Sequence, residues 1–193
     1  MIQKLFNPFI QIAGAKSVII GLLFVILSAT LAAFFNTRFD GVLDAHYTKD
    51  QSFYISYLDY LINIGVVTFV FYGFGAILTK GRTRFVDILG TTMLSRFPLF
   101  IIPLFNIQNQ SGIIGEKIIQ SITKPNAIQL TKFEWIYLIT SGIISLLLII
   151  WFIVLLFKAY KISTNLKGAN LIVSFILGII IAEILSKIII YQL

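Results

Sequence analysis

Asp59, Asp87, Arg96, Glu183 and Lys187 each interrupt a long apolar run. A charge in apolar surroundings costs at least about 2.5–3.5 kcal/mol when the surroundings are lipid, so each needs a reason to be there. As polar stations, Asp59, Arg96 and Glu183 could pass a proton or an ion. Ordinary structural roles compete with that reading. Asp59, flanked by Tyr57, Tyr60 and Asn63, can sit near a hydrated interface. Asp87 follows Arg82 and Arg84 and suits a capped helix N-terminus. Glu183 and Lys187 have the i, i+4 order that favours a helical ion pair, with Lys187 snorkelling to the surface. The structural roles are the simpler reading, because transporters generally repeat their architecture, and no half-to-half repeat is visible.

No catalytic constellation accompanies these residues. The chain has no cysteine and a single histidine, which removes thiolate chemistry and any site needing two imidazoles. That histidine, His46, lies near Asp44 and Asp50 in a polar segment read as a solvated, mobile loop. There is no Gly-rich phosphate loop, no His-Glu metal spacing and no nucleophile beside a base. No catalytic residue, metal site or cofactor is expected.

The elements that position the charges follow from composition. Of 193 residues, 58% are hydrophobic and 12% charged, and mean hydropathy is +0.95. Soluble chains carry about 25% charged residues, so the solvent for this surface is lipid. A helix needs about 20 apolar residues to cross a bilayer. That ruler gives five spans, at about 17–35, 53–78, 85–105, 135–157 and 169–190. The expected fold is all-α: one domain, a bundle of five transmembrane helices. The first span is too long for a cleaved signal h-region and is read as retained. Pro98 and Pro103 should bend the third span or divide it into half-helices. Gly65, Gly73 and Gly75, with Gly168 and Gly178, are expected to let helices approach closely. Met1–Ala15 and Gly112–Ile122 carry apolar residues at helical spacing and suit amphipathic helices lying at an interface or packed against the bundle.

The net charge of +7 is distributed as an orientation signal. Lys80, Arg82 and Arg84 fill one short connection, Lys158, Lys161 and Lys167 another, and Lys4 and Lys16 precede the first span. With five spans these segments share one side, expected to be cytoplasmic, with the N-terminus there and the C-terminus outside. Lys80, Arg82, Arg84, Lys158, Lys161 and Lys167 form a candidate surface for anionic headgroups, although they also serve simply to set topology. Such a spread basic balance excludes a nucleic-acid partner.

Several stretches then resemble the Yip family. Asn7-Pro8-Phe9 with Ile12-Ala13-Gly14 resembles the family's opening segment. Gly81-Arg82-Thr83-Arg84-Phe85, Asp87-Ile88-Leu89-Gly90 and Pro98 resemble its basic turn, Leu-Gly step and third-span proline. Trp135 and Phe157-Lys158-Ala159-Tyr160 resemble its closing hairpin. The resemblance implies a five-span membrane protein whose eukaryotic relatives interact with Rab-type GTPases in vesicle traffic. Those relatives carry a long polar region before the first span, where this sequence has only about fifteen residues; GTPase binding is therefore non-transferable, and the resemblance suggests a prokaryotic member reduced to its membrane domain. The expectation is a non-enzymatic scaffold in the bacterial inner membrane. Its expected partners are lipids and another membrane protein or a second copy of itself; the alternative is a small transporter or channel using Asp59, Arg96 and Glu183.

Overall fold

The computed structural model describes residues 7–12, 14–123 and 130–193. Its helices are α1 (Ala15–Phe34), α2 (Phe53–Leu78), α3 (Phe85–Ser95), α4 (Gln110–Thr123), α5 (Lys132–Thr164) and α6 (Gly168–Tyr191). Two short strands, β1 (Thr37–Arg38) and β2 (His46–Tyr47), pair antiparallel between α1 and α2. Among the described residues, five segments are long and apolar enough to cross a membrane: α1, α2, α5, α6, and the run from α3 to Ile122. The chain is an integral membrane protein with an all-helical bundle.

The third span is divided where the prolines stand. The α-helix stops at Ser95, and Phe97–Asn109 continues as a tighter, irregular helix containing Pro98 and Pro103. Each proline removes an amide donor and crowds the preceding turn, so the α-helical ladder cannot run through. Arg96 is the residue at the break.

The close approaches fall elsewhere than the sequence suggests. Gly65 and Gly73 face open space, because the stretch of α2 that carries them turns those positions away from its neighbours. The tight contacts are at Gly21, where an added Cβ would lie 2.7 Å from Met93 Cβ, and at Gly90, where it would lie 2.8 Å from the Val18 amide. These two glycines let α1 and α3 form the most extensive helix pair of the bundle. Gly75 and Gly178 do mark approaches, to Thr83 with Thr164 and to Phe71 respectively.

Helix α6 packs on α2, while α5 packs on α3 and the tighter helix after it. Phe71, Phe157, Tyr160 and Phe175 close the α5–α6 hairpin near its turn, with Phe71 and Tyr160 ring centroids 4.6 Å apart. Tyr160 donates to Ser174 Oγ at 2.9 Å, so its hydroxyl is satisfied inside the apolar layer. Beyond this cluster α5 and α6 touch little. With 33 residues, α5 is about 50 Å long and overshoots a bilayer core of about 30 Å. Lys158 and Lys161 therefore stand on helix; the connection to α6 is only residues 165–167.

Of the two expected amphipathic segments, Gly112–Ile122 is helical as part of α4, with Ile114 buried and Ile113, Ile119 and Ile122 exposed. Residues 1–6 and 13 of Met1–Ala15 lie outside the described residues, Lys4 among them. In the part described, Pro8–Ile10 forms one short turn that buries Phe9 against Leu94, Leu155 and Ala159.

Candidate functional site: an interior polar column and a basic face

The loop between α1 and α2 is held by specific hydrogen bonds. Asn36, in the left-handed region at φ 47°, turns the chain out of α1, and its carbonyl and side chain accept from the Thr48 and Gln51 amides at 2.8 and 3.0 Å. His46 is paired across the hairpin with Arg38 and sets Nδ1 3.2 Å from Asp40 Oδ1. No group of three or more His, Asp or Glu able to hold a metal occurs among the described residues.

This loop drops Phe39 and Val42 into the bundle core, and the intramembrane charges hold it there. Asp59, 0% exposed on α2, accepts from Arg38 Nε at 3.0 Å. One helical turn further, Asn63 donates from Nδ2 to the Phe39 carbonyl at 2.8 Å. From α6, Glu183 Oε2 accepts from the Leu43 amide at 2.8 Å. Lys187 Nζ reaches both Glu183 Oε1, at 3.4 Å, and Asp44 Oδ2, at 2.7 Å. Gly41 is required between them: an added Cβ would fall 2.5 Å from Glu183 Oε1. The Lys187 ammonium holds the Asp44 carboxyl below its ordinary value, chiefly through their hydrogen bond. Asp59 is thus a buried clasp rather than a hydrated interfacial carboxylate, because Arg38 comes in from the hairpin to meet it.

Arg96 is placed differently. Its side chain is 2% exposed, and none of its three guanidinium nitrogens has a hydrogen-bond partner among the described residues. The guanidinium carbon lies 5.2 Å from the Tyr60 ring centroid and 5.4 Å from that of Phe152. Both rings present the negative face of their quadrupole to the cation, a favourable contact in a desolvated site. The cavities lined by Arg38 with Lys187, by Lys80 with Arg82, and by Lys49 with Glu116 do not have Asp59, Arg96 or Glu183 in their walls.

Asp87 lies in the first turn of α3, half-buried, where its charge complements the helix N-terminus. It does not cap the helix and makes no ion pair with Arg82 or Arg84 among the described residues. Its carbonyl accepts from Ser163 Oγ at 3.2 Å, joining the start of α3 to the end of α5.

At this end of the bundle the two basic turns converge. A cavity of about 570 Å³ is lined by Lys80 and Arg82 from one turn and by Ser163, Thr164 and Asn165 from the other. Lys80, Arg82, Arg84, Lys161 and Lys167 are exposed, and Lys158 is half-buried. Helices α3 and α6 both begin here with a basic residue at the cap position, Arg84 and Lys167, and no side chain caps either. At the opposite end, Ser52 caps α2 and Thr131 caps α5 in a reciprocal box with Glu134. The caps at the Ser52 and Thr131 end are supplied by their own side chains, whereas Arg84 and Lys167 supply none.

The hairpin clasp was missing from the sequence reading, as was α4's attachment. Asn106 donates to the Phe35 carbonyl at 2.6 Å and accepts from the Gly112 amide at 3.2 Å. Lys49 meets Glu116 at 2.8 Å, which raises the lysine above its usual range through that bond. Lys117 pairs with Glu134. A family model of the Yip1 domain matches residues 3–186. No curated protein and no solved structure matches the chain.

Proposed function

The chain belongs to the Yip1 domain family, and on that premise we propose that it is a non-enzymatic membrane scaffold that works through its basic face. In this reading the basic face is cytoplasmic, the membrane is the bacterial inner membrane, and the N- and C-termini lie on opposite sides. The face gathers anionic headgroups and presents a partner membrane protein with a charged, lipid-coated end.

The observation that carries this reading is the shared groove. Lys80 and Arg82 are far in sequence from the Ser163–Leu166 turn, yet both line one cavity of about 570 Å³. Basic residues near a membrane surface attract anionic lipid by about 1 kcal/mol each. The uncapped starts of α3 and α6 add amide donors of the kind that bind phosphate oxygens. Of the interior charges, Asp59, Glu183 and Lys187 are engaged in holding the hairpin.

The test replaces Lys80, Arg82, Arg84, Lys158, Lys161 and Lys167 together with Gln. Anionic-lipid retention on the purified protein and recovery of crosslinked membrane partners from cells are then measured. Loss of both supports the reading; retention of both overturns it and leaves these residues as topology signals.

A further inference from the structure

The opposite end of the bundle carries a second, differently built cavity. It holds about 420 Å³ and lies between the hairpin and the last turn of α6, lined by Arg38, Asp40, Lys187, Ile188, Ile190 and Tyr191. That volume is in the range of ligand pockets, about 300–1,000 Å³. Arg38 spends Nε on Asp59, while its side chain stays 26% exposed and lines the cavity, with no second acceptor for the guanidinium among the described residues. A guanidinium with a free in-plane donor is suited to a phosphate oxygen. Lys187 brings a second cation to the same wall.

The remaining walls say what kind of molecule carries the phosphate. Ile188 and Tyr191 are exposed at the end of α6. That helix, at 24 residues, is about 36 Å long, so its last turn stands at headgroup level with its apolar side against lipid. A phosphate on an alkyl-bearing molecule therefore fits better than a free anion. Its charge is also restricted. Asp40, Asp44, Asp59 and Glu183 outnumber Arg38 and Lys187 at this end, which disfavours a net-anionic head. Asp40 lies in the cavity wall with its carboxylate one-third exposed and can accept from a primary ammonium.

The geometry points to a binding site for one zwitterionic phospholipid with a primary amine, its phosphate on Arg38 and Lys187 and its ammonium on Asp40. Phosphatidylethanolamine has that chemistry. Phosphatidylcholine has the same charges but cannot donate a hydrogen bond from its ammonium, and phosphatidylglycerol lacks the cation. The site lies on the opposite side of the bundle from the basic face and does not depend on that proposal.

Purified protein is exchanged into mixed micelles with each of the three lipids, with matched acyl chains, and with soluble phosphoethanolamine as a tail-less probe. Bound lipid is counted by native mass spectrometry and the unfolding midpoint is recorded. The expected result is one retained phosphatidylethanolamine, preferred over phosphatidylcholine by about tenfold, with little effect of phosphoethanolamine. Asp40→Asn, which leaves the Arg38–Asp59 clasp in place, should erase the preference while keeping the fold. Lys187→Gln should weaken retention of both zwitterionic lipids. Equal retention of phosphatidylethanolamine and phosphatidylcholine by the unmodified protein overturns the site, as does an unchanged preference in Asp40→Asn or equal binding of phosphoethanolamine.

Discussion

Arg38 on the surface hairpin donates from Nε to Asp59 Oδ2 at 3.0 Å, so a carboxylate sealed within a membrane span is neutralised from outside the span. The hairpin supplies the counter-ion that α2 lacks, and α2 supplies the anchor that the hairpin lacks. Exposed ion pairs contribute about 0–1 kcal/mol, and breaking a buried one by removing one partner costs about 3–5 kcal/mol. Arg38 keeps some solvent contact, so Asp59→Ala should cost about 2 kcal/mol, intermediate between those limits. Asp59→Ala with Arg38→Gln should cost less than the sum of the single variants. Unfolding in detergent, read as a double-mutant cycle, checks this.

Arg96 is expected to behave in the opposite way. Its guanidinium lacks a hydrogen-bond acceptor among the described residues, so replacing it by an apolar side chain of similar length removes a desolvation cost. Arg96→Met should leave stability unchanged or raise it by about 1 kcal/mol, because well-packed apolar residues often match or better buried ions. Arg96→Ala should lose about 2–4 kcal/mol through the cavity left between Tyr60 and Phe152. A comparable loss in Arg96→Met would show an interior partner for the charge and favour the ion-path alternative.

The glycines separate cleanly. Gly21→Ala and Gly90→Ala push a methyl group into backbone across the α1–α3 contact and should each cost about 1–3 kcal/mol. Gly73→Ala meets nothing within 4 Å and should be neutral or stabilising by up to about 1 kcal/mol. Thermal midpoints in a common detergent distinguish the two classes.

Asp44 gives the hairpin clasp an acid limit. Its carboxyl is held below the ordinary 3.8 by Lys187. A depressed carboxyl contributes stability that is present above its unfolded value and lost as pH falls through its folded value. Stability should therefore begin to fall as pH drops below about 4, and Asp44→Asn should remove that part of the slope. Because Asp44 is half in water, the effect is small. Unfolding midpoints recorded across that interval for both proteins test it.

What was readable in the residues was whatever repeats locally. The five spans follow from length and hydropathy, and the Glu183–Lys187 pair follows from its i, i+4 spacing. The prolines announced the break after Ser95. What escaped depends on contacts distant along the chain. Arg38–Asp59, Asn63 to the Phe39 carbonyl, and Glu183 to the Leu43 amide each join a loop to a span, and no periodicity records such pairs. Gly65 and Gly73 were misjudged because a span apolar on every side does not reveal which face meets a neighbour. The basic residues were legible as a set, while their sharing of one groove needed the fold.

The docking of α6 on α2 rather than on α5 has a consequence for biosynthesis. The hairpin that follows α1 is made early, yet Glu183 and Lys187, which hold it, arrive only with α6. During synthesis Arg38 can meet Asp59 as soon as α2 is inserted, but Leu43 and Asp44 wait for nearly the whole chain. Loss of α6 would therefore be felt most at a loop made 140 residues earlier, and the locked hairpin reports that α6 has been made and docked.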